Sequence, residues 1–157
     1  PFIVHETKMP NISDSKKSPC FICSWNRRKI LFEAVNQLGC NKLALGHHLD
    51  DSIETLLLNM INHGNISAIP PSVSMFNNKF QIIRPLILIL ENNIQKYSDI
   101  RNYPSEIFKC QYEETGTRNA VKNMIKEFEK INKNAKINLF RSMSRIDHEY
   151  IPPKIKC

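Results

Sequence analysis

The chain of 157 residues is 41% apolar and 24% charged, a length and composition that predict one globular domain of ordinary size with a core of its own. Lysine and arginine number 22 against 15 acidic residues, and the formal charge of +7 suits a polyanion, although many soluble proteins carry a similar excess. The sequence contains neither an apolar run long enough to span a membrane nor a signal peptide, so we expect a cytoplasmic protein.

The first part of the chain combines a cysteine pair with a helix. Residues 2–4 are a brief apolar run that predicts a strand, and residues 5–18 predict a long polar loop. Pro19 then leads into a helix that Gly39 ends, with apolar residues on one face at Ile30, Leu31, Ala34, Val35 and Leu38. Cys20 and Cys23 therefore lie at a helix N-terminus, where the helix dipole and free amides stabilise thiolates or a negatively charged cluster.

The central stretch is typical of a strand, a polar turn and a helix. Residues 43–45 predict a buried strand, and Gly46 frees the backbone where that strand ends. Asp51 followed by Glu54 is a capping-box signature, which predicts a helix with an apolar stripe at Ile53, Leu56, Leu57 and Met60. The turn between them holds two histidines and two carboxylates: His47, His48, Asp50 and Asp51.

This turn is the predicted active-site edge, because ligands of open α/β sheets bind outside the carboxyl ends of the strands. A simpler interpretation is also open. In it, Asp50 and Asp51 only cap the helix, and the two histidines are solvated loop residues.

The following elements continue the alternation of strands and helices. Residues 63–78 are predicted as a loop, and Phe80–Ile83 as a strand whose ladder ends at Arg84-Pro85, because proline cannot donate. Glu91–Ile100 is predicted as a helix with Ile94, Tyr97 and Ile100 facing inward. Such alternation predicts βαβ units and a parallel sheet.

A last helix, which begins at Thr117, has an apolar and a basic face. Its apolar residues recur at helical spacing: Val121, Met124, Ile125, Phe128 and Ile131. Its basic residues are Arg118, Lys122, Lys126, Lys130 and Lys133. Plain solvation and contact with an RNA are both open interpretations of this basic face.

Five cysteines in a chain without an export signal argue against a disulfide framework and for metal binding or catalysis. Cys40 is predicted to be a buried or semi-buried thiol, and Cys157 is the last residue. Cys20, Cys23 and Cys110 remain as candidate ligands. By spacing alone, structural zinc completed by His5, His47 or His48 ranks ahead of other interpretations, which include three unrelated thiols.

Taken together, the motifs resemble a known superfamily. Their order is Cys20-x-x-Cys23 with Arg27-Arg28, then Gly46-His-His-Leu-Asp-Asp with Glu54-Thr55, then Arg84-Pro-Leu. This ordered set resembles the PP-loop ATP pyrophosphatases, and within them the tRNA 2-thiocytidine synthetase group. The resemblance runs from about Val4 to Pro153 and implies a Rossmann-like α/β fold of the adenine nucleotide alpha-hydrolase type, a parallel sheet flanked by helices. The resemblance assigns residues 1–102 to the C-terminal part of the ATPase domain. It assigns residues 103–157 to a cysteine-containing loop and a helical C-terminal extension.

The resemblance also implies a chemistry. Members of the group use ATP and Mg²⁺ to adenylate a base carbonyl of tRNA, here of an anticodon-loop cytidine, and then replace the oxygen with sulfur. The residues carried over as catalytic are His48, Asp50 and Asp51, and those carried over as ATP-binding are Leu45, Gly46, His47, Arg27, Arg28 and Arg84. Carboxylates suit Mg²⁺, and arginine forks suit phosphates.

For the cysteines, the resemblance favours a 4Fe-4S cluster on Cys20, Cys23 and Cys110, with one iron left open to bind sulfide. Some relatives carry two cysteines where this chain has only Cys110. The implied partners are tRNA and a sulfur donor such as a cysteine desulfurase, and a homodimer is a further expectation.

One departure from the superfamily bears on activity. The phosphate-cradling SGGxDS motif is absent from the sequence, and we therefore expect an N-terminally truncated chain with little or no thiolation activity of its own. Alternatives are a tRNA 2-thiouridine synthetase, a lysidine synthetase-type enzyme, or a non-catalytic PP-loop remnant that binds RNA or a metal.

Overall fold

A computed structural model describes residues 4, 18–104 and 117–152. Most of the strand predicted at 2–4 lies outside these residues, as do His5, Cys110 and Cys157. The elements are α1 (Pro19–Gln37), β1 (Lys42–Ala44), α2 (Leu49–His63), β2 (Ser72–Met75), β3 (Phe80–Ile83), α3 (Glu91–Ile100), α4 (Thr117–Ile131), α5 (Ala135–Ser142) and a 3₁₀ turn at His148–Tyr150. The α/β class predicted from the sequence is confirmed.

The described strands form one sheet in the order β1-β3-β2. β1 and β3 are parallel, with Leu43 opposite Ile82, and α2 connects them as the predicted βαβ unit requires. β2 runs antiparallel to β3, with Val73 opposite Ile82, so the sheet is mixed. The prediction of an uninterrupted loop at 63–78 is therefore wrong at β2.

The turn between β2 and β3 explains why that strand escaped prediction. Three successive residues have left-handed backbone conformations: Phe76, Asn77 and Asn78, at φ 49°, 56° and 66°. Asparagine tolerates this region, but phenylalanine rarely adopts it, so nothing local in the sequence marks a hairpin at this point. The packing of Phe76 against Phe32 and Phe80, with ring centroids 5.8 Å apart in each case, stabilises the turn.

Two apolar clusters form the core. The first lies between α2 and α4 and consists of Leu49, Ile53, Leu57, Val121 and Ile125. The second lies between α1 and the sheet and consists of Val35, Phe80 and Ile82. Because α4 and α5 both pack against α2, the C-terminal helices cover the same helix that leaves the predicted active-site edge.

Several apolar residues predicted to face inward are exposed instead. Tyr97 and Ile100 are 55% and 78% exposed, and α3 contributes no buried residue. On α4, Ile131 is 85% exposed although Val121 and Ile125 are buried as predicted. No residue of α3 belongs to either apolar cluster, and neither does Ile131, so helical periodicity alone overstates burial.

Candidate active site

The N-terminus of α2 begins one turn earlier than predicted. His48 is the N-cap, and its backbone N–H donates to Oδ2 of Asp51 over 3.0 Å. The capping box therefore joins His48 to Asp51, and the predicted pairing of Asp51 with Glu54 is wrong. Glu54 is instead buried, with 3% of its surface exposed.

An open groove of about 1440 Å³ lies at the carboxyl ends of β1 and β3. The structure brings to it all the residues predicted for nucleotide binding and catalysis except Asp50: Arg27, Arg28, Leu45, Gly46, His47, His48, Asp51 and Arg84. The residues after β1, such as Leu45, meet Arg84, which follows β3, because the two strands are parallel neighbours. The N–H of Leu45 donates to the carbonyl of Ile83 over 2.9 Å and extends the ladder to this edge.

Arg84 is fixed by contacts on two sides. Its Nε donates to Nδ1 of His47 over 3.3 Å, and one terminal nitrogen donates to the carbonyl of Pro70 over 2.7 Å. Its backbone N–H donates to the carbonyl of Pro71 over 2.9 Å. Arg84 therefore joins the turn after β1 to the loop before β2, and its guanidinium is held at the groove.

The pKa of His47 is held below its usual value. Burial lowers its pKa; Asp51 raises it, whereas Arg84 and the other arginines nearby lower it further. Because Nδ1 accepts the hydrogen bond from Arg84, the single ring proton is assigned to Nε2. The imidazole thus offers a donor on its other nitrogen.

Asp50 faces away from the groove. Its Oδ2 accepts the backbone N–H of Glu91 over 2.8 Å, and its Oδ1 pairs with Nζ of Lys136 over 2.6 Å. Burial alone would raise its pKa, but the Glu91 amide and Lys136 outweigh burial and hold the pKa below its usual value. The pKa of Lys136 is in turn raised: burial lowers it, and the Asp50 carboxylate outweighs that effect. The two carboxylate oxygens of Asp50 thus join α2 to α3 and to α5. The catalytic role predicted for Asp50 stays a prediction.

Asp51 lines the groove and belongs to a charged network that sequence patterns did not reveal. A terminal nitrogen of Arg118 donates to its Oδ1 over 3.1 Å, while Nε of Arg118 donates to Oε2 of Glu54 over 2.6 Å. Nζ of Lys122 lies 3.9 Å from the other oxygen of Glu54. Two cations of the predicted basic face of α4 are therefore turned toward α2, and Arg118 itself lines the groove.

His48 lies among three carboxylates. Its Nε2 is 3.4 Å from Oδ2 of Asp51 and 3.9 Å from Oε1 of Glu91, and its Nδ1 is 3.9 Å from Oδ2 of Asp50. Nδ1 is buried and makes no hydrogen bond in the part of the chain that the structure describes. The ring is therefore placed to exchange a proton with Asp51 at the groove.

Cys20 and Cys23 are free and exposed on the first two turns of α1. They lie three residues apart and so share one side of the helix, which begins where the side chain of Ser18 accepts the N–H of Phe21 over 3.3 Å. Cys40 is exposed, and the prediction of a buried thiol is wrong because Cys40 follows the end of α1 at the surface. Residues 18–104 and 117–152 contain no group of three or more His, Cys, Asp or Glu side chains able to hold a metal, so a zinc site of both cysteines with His47 or His48 is not assembled there.

A comparison of the sequence with protein-family models identifies the domain that contains the groove. The model of the PP-loop domain family matches residues 25–129, which includes every predicted groove residue. This chain belongs to the PP-loop family. The resemblance predicted from the motifs is thereby confirmed, and the matched segment of the PP-loop domain ends within α4.

Curated relatives of this PP-loop chain carry the name tRNA-cytidine(32) 2-sulfurtransferase. The protein of Herminiimonas arsenicoxydans is 38% identical over 133 residues, which are 83% of this chain and 41% of the relative. That of Geobacter sulfurreducens is 34% identical over 151 residues, which are 95% of this chain and 57% of the relative. The chain thus spans about half the length of the relatives it matches.

A solved structure shows the same fold. It is the U34-tRNA thiolase NcsA from Methanococcus maripaludis with its 4Fe-4S cluster, with a TM-score of 0.67 and 25% identity. The match covers 90% of this chain and 47% of the thiolase. Within the described part of the PP-loop chain, none of the helices is long and apolar enough to cross a membrane.

Proposed function

We propose that this chain is part of an ATP-dependent tRNA sulfurtransferase that converts an anticodon-loop cytidine to 2-thiocytidine. The observation that carries the proposal is the groove, where the motif residues of α1, of the turn after β1 and of β3 line one site. Relatives of 34–39% identity named for cytidine 32 support cytidine as the base. A homodimer, a cysteine desulfurase as sulfur donor and a cytoplasmic location stay predictions.

The groove suits a nucleotide. Arg27, Arg28 and Arg84 line it, and a guanidinium matches phosphate oxygens in charge and in fork geometry. Arg84 is already held by Pro70 and His47, so binding a phosphate there would cost little conformational entropy. Asp51 is the groove carboxylate that would hold Mg²⁺ together with the phosphates, since Mg²⁺ usually takes one or two carboxylates plus phosphate and water oxygens.

The reaction has two displacement steps. In the first, the carbonyl oxygen of the base attacks the α-phosphorus of ATP. The bond from the α-phosphorus to the oxygen that bridges to the β-phosphate breaks, and pyrophosphate leaves. In the second, sulfide adds to the activated carbon, and AMP leaves with the former carbonyl oxygen. The arginines of the groove stabilise the charge that develops on the phosphates, and His48 is placed to take or return a proton beside Asp51.

Cys20 and Cys23 are exposed, free and one turn apart, which fits two of the three thiolate ligands that the motif resemblance implies for a 4Fe-4S cluster. The third, Cys110, lies outside the described residues. Such a cluster supplies an open iron that binds sulfide. The helix N-terminus at Pro19 adds favourable electrostatics for the negative charge of the cluster and its ligands.

A 2-thiouridine enzyme is the second candidate, because the structural neighbour is named a U34-tRNA thiolase. Its 25% identity is lower than that of the cytidine relatives, so cytidine 32 is the favoured base.

A chimeric enzyme tests the proposal. The segment of the Vibrio cholerae tRNA-cytidine(32) 2-sulfurtransferase that matches this chain, at 39% identity, would be replaced by the chain and expressed in cells that lack the enzyme. We expect mass spectrometry of tRNA nucleosides to show 2-thiocytidine. The Asp51→Asn chimera should make none, and Asp99→Asn, the same change at an exposed carboxylate that does not line the groove, should make the parental amount.

Each outcome of this experiment has a meaning. New 2-thiouridine without 2-thiocytidine would favour the second candidate. A soluble chimera that contains iron and sulfide but makes neither thionucleoside would contradict the proposed function.

A further inference from the structure

An exposed tryptophan lies at the rim of the groove. Trp25 is the single tryptophan of the chain, 53% of it is exposed, and it lines the groove. Phe21, one turn earlier on α1, is 44% exposed. Lys29, one turn later, places its Nζ 5.9 Å from the centroid of the indole ring. These three residues form an aromatic stripe that ends in a cation, on one side of α1.

The two halves of α1 differ in their packing. In the second half, Phe32 packs against Phe80 at a centroid distance of 5.3 Å, and Val35 is the buried residue of the helix. In the first half, Trp25 has no such cover from the described residues, although an indole is among the costliest side chains to leave in water. The exposed ring is therefore available to a partner that enters the groove.

The charges of the groove indicate the class of that partner. Arg27, Arg28 and Arg84 line the groove together with Trp25, as do Lys79 and Lys29. The acidic residues among the lining are Glu33 and Asp51, so cations predominate. A groove lined by several cations and an exposed aromatic ring suits a single-stranded nucleic acid, whose phosphates meet the cations and whose unpaired base stacks on the ring.

We propose that Trp25, with Lys29 beside its ring, is the surface on which an unpaired base of the RNA substrate stacks. The inference rests on the proposed function and adds to it the residue that receives the base. Trp25 follows Cys23 by two residues and lines the same groove as Asp51. A base within a duplex is stacked on its neighbours and offers no free face, so Trp25 selects the loop of a hairpin over its stem.

The single tryptophan makes this inference directly measurable, because intrinsic tryptophan fluorescence of the chain reports on Trp25 alone. The 157-residue chain would be titrated with an end-labelled RNA hairpin that has an anticodon-type loop, and with a fully paired RNA of equal length. Anisotropy of the label reports binding, and quenching of the indole reports stacking. We expect the hairpin to quench Trp25 and the duplex to leave its emission unchanged.

Variants separate stacking from charge. Trp25→Ala should weaken hairpin binding about tenfold, in line with the measured effect of removing a stacking ring, and Trp25→Phe should lose less. Lys29→Gln should weaken binding and leave the quenching at saturation intact. Tyr150→Ala, at a tyrosine that is 84% exposed and does not line the groove, is the matched control and should bind as the parent does.

The outcomes distinguish this inference from the proposed function. Hairpin binding without quenching, or with equal affinity in Trp25→Ala, would overturn the stacking role and leave the proposed function standing. A blue shift that grows with protein concentration in the absence of RNA would show that a second copy covers the ring, and would also overturn it. If neither RNA binds, the stacking role is overturned, and the chimera decides the proposed function separately.

Discussion

Arg118 and Glu54 form an ion pair of 2.6 Å between α4 and α2, although 64 residues separate them in the chain. The side chain of Glu54 is 4% exposed, so its negative charge depends on this partner for compensation. We predict that Arg118→Gln lowers the free energy of unfolding by about 3 kcal/mol, because among the described residues it leaves the buried carboxylate with Lys122 alone, at 3.9 Å. Urea denaturation followed by circular dichroism measures this change.

The double variant Glu54→Gln/Arg118→Gln is the informative control for that pair. Since it removes both charges, it should recover more than half of the stability that Arg118→Gln loses. Lys126→Gln, on the exposed side of the same helix, should change stability by less than about 0.5 kcal/mol. Equal stabilities of Arg118→Gln and Lys126→Gln would show that the buried pair contributes nothing.

The ion pair of Asp50 with Lys136 predicts an acid-sensitive stability. The pKa of Asp50 is lower in the folded chain than in the unfolded one, so its stabilising contribution is present above the unfolded value of about 4 and is lost as the pH falls through the folded value. We predict that Asp50→Asn costs about 2 kcal/mol at pH 7 and flattens the fall of stability below about pH 4. Unfolding free energies measured from neutral to acid pH test both parts.

Asp99→Asn serves as the control for Asp50, because Asp99 is exposed and, within the described part of the chain, its carboxylate accepts a hydrogen bond from the exposed Gln95. It should leave the acid dependence of the parent unchanged. At the alkaline end, the raised pKa of Lys136 means that its contribution is lost only as the pH rises through that raised value. An Asp50→Asn chain with the same acid dependence as the parent would contradict the assignment.

The contact between Arg84 and His47 predicts a change that NMR can follow. Arg84 lowers the pKa of His47, so Arg84→Gln should raise it, whereas Arg84→Lys should raise it less because the charge is retained. Titration of the imidazole signals of His47 measures the shift, and Arg145→Gln, at an exposed arginine that does not line the groove, should leave that titration as in the parent. An unchanged titration of His47 in Arg84→Gln would argue against the contact.

Metal analysis tests the cysteine assignment. In anaerobically purified protein, we expect iron and acid-labile sulfide in matching amounts, and Cys20→Ser, Cys23→Ser and Cys110→Ser should each lose most of both. Cys40→Ser is the matched control, since Cys40 is also exposed and free but lies at the other end of α1, and it should keep the metal. Zinc without sulfide would instead indicate a structural metal site.

The meeting of His47 and Arg84 at the groove was predictable from the topology of a parallel sheet. Residues that follow neighbouring parallel strands meet at one edge of the sheet, and this brings His47 and Arg84 together from separate motifs. The partners of the carboxylates were not predictable in this way. Arg118 lies 67 residues from Asp51, and helix-to-helix ion pairs follow no sequence spacing.

The different positions of Asp50 and Asp51 show a second limit of prediction from the sequence. Adjacent residues on a helix point about 100° apart, so only one of two neighbouring carboxylates can face the groove. Which one does so depends on where α3 and α5 pack, and Lys136 of α5 holds Asp50 on the far side. The motif therefore predicts two carboxylates near the groove, and the tertiary structure decides that Asp51 faces it and Asp50 does not.

Among the described residues, β1 is hydrogen-bonded on one side only, since the sheet order places β3 beside it and β2 beyond. An open strand edge offers its backbone groups to any extended segment, and proteins guard such edges with lysine. Lys42, the first residue of β1, is exposed at this edge. Its charge, within a chain of +7, opposes the pairing of this edge with the same edge of a second copy, and added salt screens that repulsion.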